Sequence, residues 1–154
     1  MKNYKVTASG INEFFQHTPI AVIGISRSGK KFGDAAYREL KKRQHKIVPV
    51  HPKMGTFDND TCYPDFASLP EPAGSVYIST KAGSTAAVVR DAVKSGIRHI
   101  WIQPGAQSDE AIAFCREQGV NLVVGECMLM HAQPVTSIHK FHKTLRSIFG
   151  LMPK

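Results

Sequence analysis

The sequence is poor in acids, in aromatics and in cysteine. Twelve Asp and Glu stand against 20 Lys and Arg in 154 residues, leaving a formal charge of +8. A surplus of this kind points to an anionic partner. Only three cysteines occur, Cys62, Cys115 and Cys127, without the paired spacing of a zinc module. They argue against a disulfide framework and read as reduced thiols in a cytoplasmic protein. No apolar run approaches the ~20 residues that span a bilayer. The N-terminus, Met1-Lys2-Asn3-Tyr4-Lys5, begins basic but no apolar stretch follows, so neither a secretory leader nor a membrane partner is expected. What is present, 42% hydrophobic and 21% charged residues, fits a single globular domain over residues 1–154.

Short β-branched runs alternate with segments of helical periodicity. Ile20–Ile25, Lys46–Val50, Ser75–Ser79, His99–Gln103 and Asn121–Val124 read as buried strands. Between them, Phe32–Arg43 and Ser84–Ser95 read as helices, with Gly96 placed as a C-terminal cap glycine. A third helix starts at Ser108-Asp109-Glu110, an N-cap residue followed by first-turn acids, and is closed by Gly119. Residues 51–72 form a long turn-rich connection. Strands separated by single helices mean βαβ units, hence an α/β, Rossmann-like doubly wound sheet of about five parallel strands with helices on both faces. A helix carrying Ile11, Phe14 and Phe15 precedes the core, which runs from about 18 to 128. An amphipathic helix over residues 135–149 follows, its stripe (Val135, Ile138, Phe141, Leu145, Phe149) covering its own domain or pairing two copies into a homo-oligomer.

In open parallel sheets, ligands lie beyond the carboxyl ends of the strands, where helix N-termini present free N–H groups to anions. The first such turn is Gly24-Ile25-Ser26-Arg27-Ser28-Gly29-Lys30-Lys31-Phe32-Gly33. Its glycines do not have the Gly-x-Gly-x-x-Gly spacing of an NAD fingerprint, and Lys53 follows the second strand where an acid should meet the ribose. A 2′-phosphorylated nucleotide is excluded less strongly. Gly24 to Lys30 matches Gly-x4-Gly-Lys, but Lys31 replaces the hydroxyl that ligates magnesium in a P-loop. A third possibility needs no metal: small residues such as Gly24 and Gly29 let the backbone approach a pyrophosphate, Ser26 and Ser28 offer hydroxyls, and Arg27, Lys30 and Lys31 supply charge. His51, at the end of the second strand, is a candidate phosphate or ribose contact. Between Arg27 and Lys53 there are nine bases and two acids.

Three stretches, Gly24-Ile25-Ser26 with Lys31-Phe32-Gly33, Val48-Pro49-Val50-His51-Pro52-Lys53 and Trp101-Ile102-Gln103-Pro104-Gly105-Ala106, resemble a known family. It is that of stand-alone coenzyme-A-binding domains, similar to the N-terminal domain of the succinyl-CoA synthetase alpha subunit. The resemblance implies that Ser26, Arg27, Ser28 and Gly29 hold CoA phosphates, that Lys53 pairs with another phosphate, and that Ile78, Ser79 and Thr80 line the adenine or ribose side. His51 stands where such domains commonly have Asn, and Ser79-Thr80-Lys81 replaces a proline-containing turn.

The synthetase-like reaction needs a second domain for which this chain has no room, so the expectation is a binding or regulatory module for CoA or acyl-CoA, with no catalytic residue assigned. His139 and His142 lie three apart in the closing helix with no acid or cysteine to complete a metal site, so none is assigned. Two other classes stay open: an NADP-type oxidoreductase and a basic nucleic-acid-binding domain, the latter disfavoured by an aromatic content of 8%. Cys127, after the fifth strand, reads either as a small buried residue or as a thiol facing the ligand end of the sheet. Cys115 reads as core and Cys62 as an exposed loop residue.

Overall fold

In the computed structural model, residues 4–133 are described. Helix α1 (Ala8–Gln16) precedes β1 (Ile20–Ile23), α2 (Phe32–Lys42) and β2 (Ile47–Val50). A hairpin of β3 (Thr56–Phe57) and β4 (Asp60–Thr61) comes next. Then follow β5 (Ser75–Ile78), α3 (Ala82–Lys94), β6 (His99–Ile102), α4 (Asp109–Gln118) and β7 (Asn121–Val124). A 3-10 turn at Met128–Met130 closes the described chain.

The five long strands pair in the order β2-β1-β5-β6-β7, and every pairing is parallel. The chain leaves β1 toward β2 on one side, and then crosses back to β5, β6 and β7 on the other. Right-handed crossovers therefore place the helices on opposite faces. Helices α1 and α2 bury Phe14, Ala36, Tyr37 and Leu40 against Ile20, Val22, Tyr77, Trp101 and Val123. Helices α3 and α4 bury Val89, Ala92, Ile112 and Cys115 against Ala21, Val76, Ile78, Ile100 and Leu122. Alternate residues of each strand serve alternate faces, which is why all four positions of β5 are buried. The strand order reverses between β1 and β5, and a crevice opens there at the carboxyl ends.

The expected doubly wound fold is the observed one, with local differences. β1 stops at Ile23 because Gly24 takes a φ of +110°, which turns the chain out of the sheet. The connection after β2 is not all turn. Asp58 and Asn59, at φ of 50° and 66°, make a two-residue left-handed turn that closes the β3–β4 hairpin. This hairpin folds Cys62 inward beside Phe57, so the thiol expected to be exposed is buried. Helix α3 starts two residues earlier than expected, at Ala82. The closing helix over 135–149, with His139 and His142, lies outside the described residues. Among the described residues, no helix is long and apolar enough to cross a membrane.

Candidate functional site

Two helices aim their N-termini at the crevice, and both start differently from the other two. Thr7 caps α1 by accepting the Gly10 N–H, and Ser108 caps α4 by accepting the Ala111 N–H. The N-cap residues of α2 and α3 are Lys31 and Lys81, which cannot accept such a bond through a side chain. These helix starts combine partial positive charge with a lysine each.

The turn between β1 and α2 is held from inside by Asp34. Its buried carboxylate accepts the Ser26 N–H at 2.6 Å, the Ser26 hydroxyl at 2.5 Å and the Lys31 N–H at 2.9 Å. The Ser26 proton is thereby spent, so in the 2.9 Å contact between the two hydroxyls Ser28 is the donor to Ser26. Ser28 in turn accepts the Lys30 N–H at 3.3 Å. Arg38 donates to the Gly29 carbonyl at 2.8 Å and fixes the far side of the loop. What Ser26 and Ser28 offer outward is therefore oxygen lone pairs, while donor capacity lies in the Arg27 guanidinium and the loop backbone.

Glycines bring the backbones together. A Cβ on Gly24 would lie 2.3 Å from the Ser79 carbonyl oxygen, and one on Gly33 would lie 2.3 Å from that of Gly24. The first contact sets β1 against β5 at the crossing point; the second seats α2 against the end of β1.

Above this contact is a cleft of about 680 Å³. Gly24, Lys31, His51, Ser79 and Thr80 line it, as do Phe32, Pro52, Lys81, Ser84 and Gly105; no carboxylate is among its lining residues. Of the residues singled out from the sequence, the structure brings Gly24, Lys31, His51, Ser79 and Thr80 to the cleft wall. Arg27 and Lys53 stand beside it, both near enough to His51 to depress its protonation. Ser26, Ser28 and Gly29 form the loop rather than the wall. Ile78 is fully buried in the sheet, with its carbonyl taken by the Gln103 N–H at 2.9 Å. Phe32, Lys81 and Ser84 also line the cleft, although the sequence did not single them out as ligand contacts. The signal for Lys81 and Ser84 was the same one used at the first turn, a helix start following a strand end.

The His51 ring is tuned by its surroundings. Its Nδ1 accepts the Lys53 backbone N–H at 3.0 Å, which leaves the proton on Nε2. Desolvation, together with Arg27 and Lys53, pushes its pKa below the ordinary 6.5. Thr80 shares a 2.9 Å hydrogen bond with Thr85, whose proton goes to the Ala106 carbonyl at 2.6 Å. Thr80 is accordingly the donor in that pair and presents an acceptor to the cleft.

Most of the other bases between Arg27 and Lys53 are engaged elsewhere. Lys41 pairs with Asp60 at 2.9 Å and with Asp58 at 3.4 Å, and Lys46 pairs with Glu71 at 2.6 Å. Arg43 is buried, bonded to Glu39 at 3.0 Å and to the carbonyls of Leu129 and Ala132. The positive field at the cleft thus comes from Arg27, Lys31, Lys53 and Lys81. A second groove of about 640 Å³ adjoins the cleft, sharing Ile23, Val50, Pro52 and Val88, and continues between Pro64, Phe66 and the end of α3.

The fold recurs in solved structures. A hypothetical protein from Pyrococcus horikoshii OT3 superposes with a TM-score of 0.76 at 24% identity, over 88% of this chain and 99% of that one. A conserved hypothetical protein from Pyrococcus furiosus gives 0.67 at 28% identity, over 71% and 94%. The dinucleotide-forming acetyl-coenzyme A synthetase 1 of Ca. Korarchaeum cryptofilum, in complex with phosphate and ADP, gives 0.59 at 21% identity. That match covers 72% of this chain but only 26% of the synthetase. Residues 18–133, from the first residue of the cis Thr18–Pro19 bond to the end of the described chain, match the model of the CoA binding domain, and the chain belongs to that family.

Proposed function

We propose that the cleft binds coenzyme A or an acyl-CoA, and that the chain is a binding or regulatory module that carries out no reaction itself. The observation that carries this reading is a cleft at the sheet's crossing point with lysines at two helix starts, Arg27, His51 and Lys53 at one end, and no carboxylate in its wall. CoA brings a pyrophosphate and a 3′-phosphate to such a site. The pyrophosphate suits the space between the starts of α2 and α3, where Lys31 and Lys81 stand. The 3′-phosphate suits the Arg27–His51–Lys53 end, and the adenine the adjoining apolar groove. The pantetheine arm then leaves past Ser79, Thr80 and Gly105, where Thr80 offers an acceptor to an amide or hydroxyl. In this reading the loop of Ser26, Ser28 and Gly29 binds through its backbone, and Ile78 contributes by setting the strand end. The protein would act in the cytoplasm, as a monomer or as a homo-oligomer built through the closing helix.

Calorimetric titration of the full chain with CoA, dephospho-CoA and NADP tests this. Micromolar binding of CoA, weakened for dephospho-CoA, is the expected result. Absence of CoA binding at millimolar concentration would reject it, and tighter binding of NADP would favour the oxidoreductase class. A salt-dependent DNA-binding assay separates the nucleic-acid class, since strong DNA binding without CoA binding reverses the assignment.

A further inference from the structure

One stripe of α3 runs from the cleft into the groove beside it. Ser84 and Val88 line the cleft, while Val88, Asp91 and Ser95 line the groove. Their alternating spacing of four and three residues keeps all of them on one side of the helix. From Ser84 to Asp91 the helix rises about 10 Å, at 1.5 Å per residue. That span is comparable with a nucleotide measured from its 5′-phosphate to the far edge of its base. A pyrophosphate at the start of α3 thus puts a base held along the stripe within reach of Asp91.

Charge is divided between the two spaces. The cleft wall has no carboxylate, whereas the groove has two, Asp65 and Asp91, among apolar walls that include Pro64, Phe66 and Val88. Asp65 is engaged in its own turn, where one oxygen accepts the Ser68 N–H at 2.8 Å and the Ser68 hydroxyl at 2.6 Å. The neighbouring Arg90 is drawn the other way, to Glu110 of α4 at 2.6 Å. The Asp91 carboxylate has no hydrogen bond or ion pair among the described residues. A free acceptor in an apolar slot suits an N–H donor carried on a flat ring.

We propose that Asp91 determines which base the site accepts, its carboxylate taking an N–H of the exocyclic amine of adenine. Ser95, one turn further along the stripe, donates its hydroxyl to the adjacent ring nitrogen, N1. The inference rests on the CoA reading above and names the group that reads the base. A site built around such a hydrogen bond rejects an analogue without the donor, because the carboxylate then gives up water and gains no partner. The sign of the effect separates this role from mere proximity. A carboxylate that only stood near an anionic ligand would repel it, and its removal would tighten binding. One that accepts from the amine makes its removal weaken binding.

The test is calorimetric titration of the full chain and of its Asp91→Ala variant with CoA and with 1,N6-etheno-CoA, whose added ring closes over both the amine and N1. The parent should bind CoA about tenfold tighter than the etheno analogue. Asp91→Ala should weaken CoA about fivefold or more and leave the etheno analogue unchanged, so that the preference collapses. Asp91→Asn, which keeps an acceptor oxygen without the charge, should recover part of it. Asp91 is exposed on a helix, where alanine is the better helix former, so the variant keeps its fold. Equal affinity of the parent for the two ligands, an equal change for both in Asp91→Ala, or CoA binding unchanged or tightened there would overturn the proposal and leave CoA binding in place. No binding of CoA by the parent defeats the CoA reading and the base assignment with it.

Discussion

The carboxylate of Asp34, fully buried at the first turn of α2, holds both the backbone N–H and the hydroxyl of Ser26, eight residues earlier. It is a loop-internal acid in a strongly basic stretch, and it decides the shape of the turn. Asp34→Ala leaves the N–H groups of Ser26 and Lys31 without their acceptor. The expected loss is about 2–3 kcal/mol of stability, read by urea denaturation, with weaker CoA binding because the loop backbone is no longer set. Asp34→Asn should recover part of the stability. An Asp34→Ala variant as stable as the parent would show that the clamp contributes nothing.

Gly24 and Ser79 make the crossing point of the sheet, and only a glycine fits there. Gly24→Ala places a methyl 2.3 Å from the Ser79 carbonyl oxygen at a φ of +110°. A loss of about 3 kcal/mol is expected, seen as a lowered melting temperature in thermal unfolding. Gly55→Ala, where the added methyl meets nothing within 4 Å, is the control and should cost far less.

His51 gives the site a pH dependence whose sign is opposite for folding and for ligand. In the free protein its pKa lies below the ordinary 6.5, so the unfolded chain binds more protons between the two values. Stability therefore falls as pH drops through that window and is unaffected by this group above it. A phosphate beside the ring raises the pKa of the complex, so CoA binding takes up protons and tightens as pH falls from neutrality. Calorimetry in buffers of different ionisation enthalpy measures that uptake. His51→Gln should abolish it, and uptake that survives the substitution would assign it to another group.

Arg27 and Lys53 flank His51 at one end of the cleft. If the 3′-phosphate lies there, Arg27→Ala and Lys53→Ala should each weaken CoA about tenfold or more while changing dephospho-CoA little. Lys42→Ala, on an exposed position at the last residue of α2, should leave both ligands unchanged. Equal losses for CoA and dephospho-CoA would move the 3′-phosphate elsewhere.

Tyr77→Phe removes a buried hydroxyl that has no hydrogen-bond partner. The variant is expected to be as stable as the parent or about 1 kcal/mol more so. A clear loss of stability in denaturant would show that the hydroxyl is satisfied in solution.

The five parallel strands and the placing of helices on both faces were legible because the periods of the sequence are unambiguous; the strand order came from the structure. Ile20-Ala21-Val22-Ile23 and Ser75-Val76-Tyr77-Ile78 are apolar at nearly every position, as strands buried on both faces must be. The β3–β4 hairpin was not legible, because two-residue strands carry no period; only the Asp58-Asn59 pair at its tip marked it. The location of the cleft followed from topology, since a reversal of strand order makes a crevice whatever the side chains are.

The scarcity of acids did not have the meaning that composition suggests. The sequence by itself determined that this is a basic α/β domain with a glycine turn and bases after its first two strands. Tertiary structure decided which of those bases face a ligand. Arg43, Lys41 and Lys46 are drawn to Glu39, Asp60 and Glu71, while Arg27, Lys31, Lys53 and Lys81 remain at the cleft. The reason is that charges interact through space over a few ångströms, and Lys41 and Asp60, or Lys46 and Glu71, 19 and 25 positions apart in the chain, become neighbours only when the sheet is built.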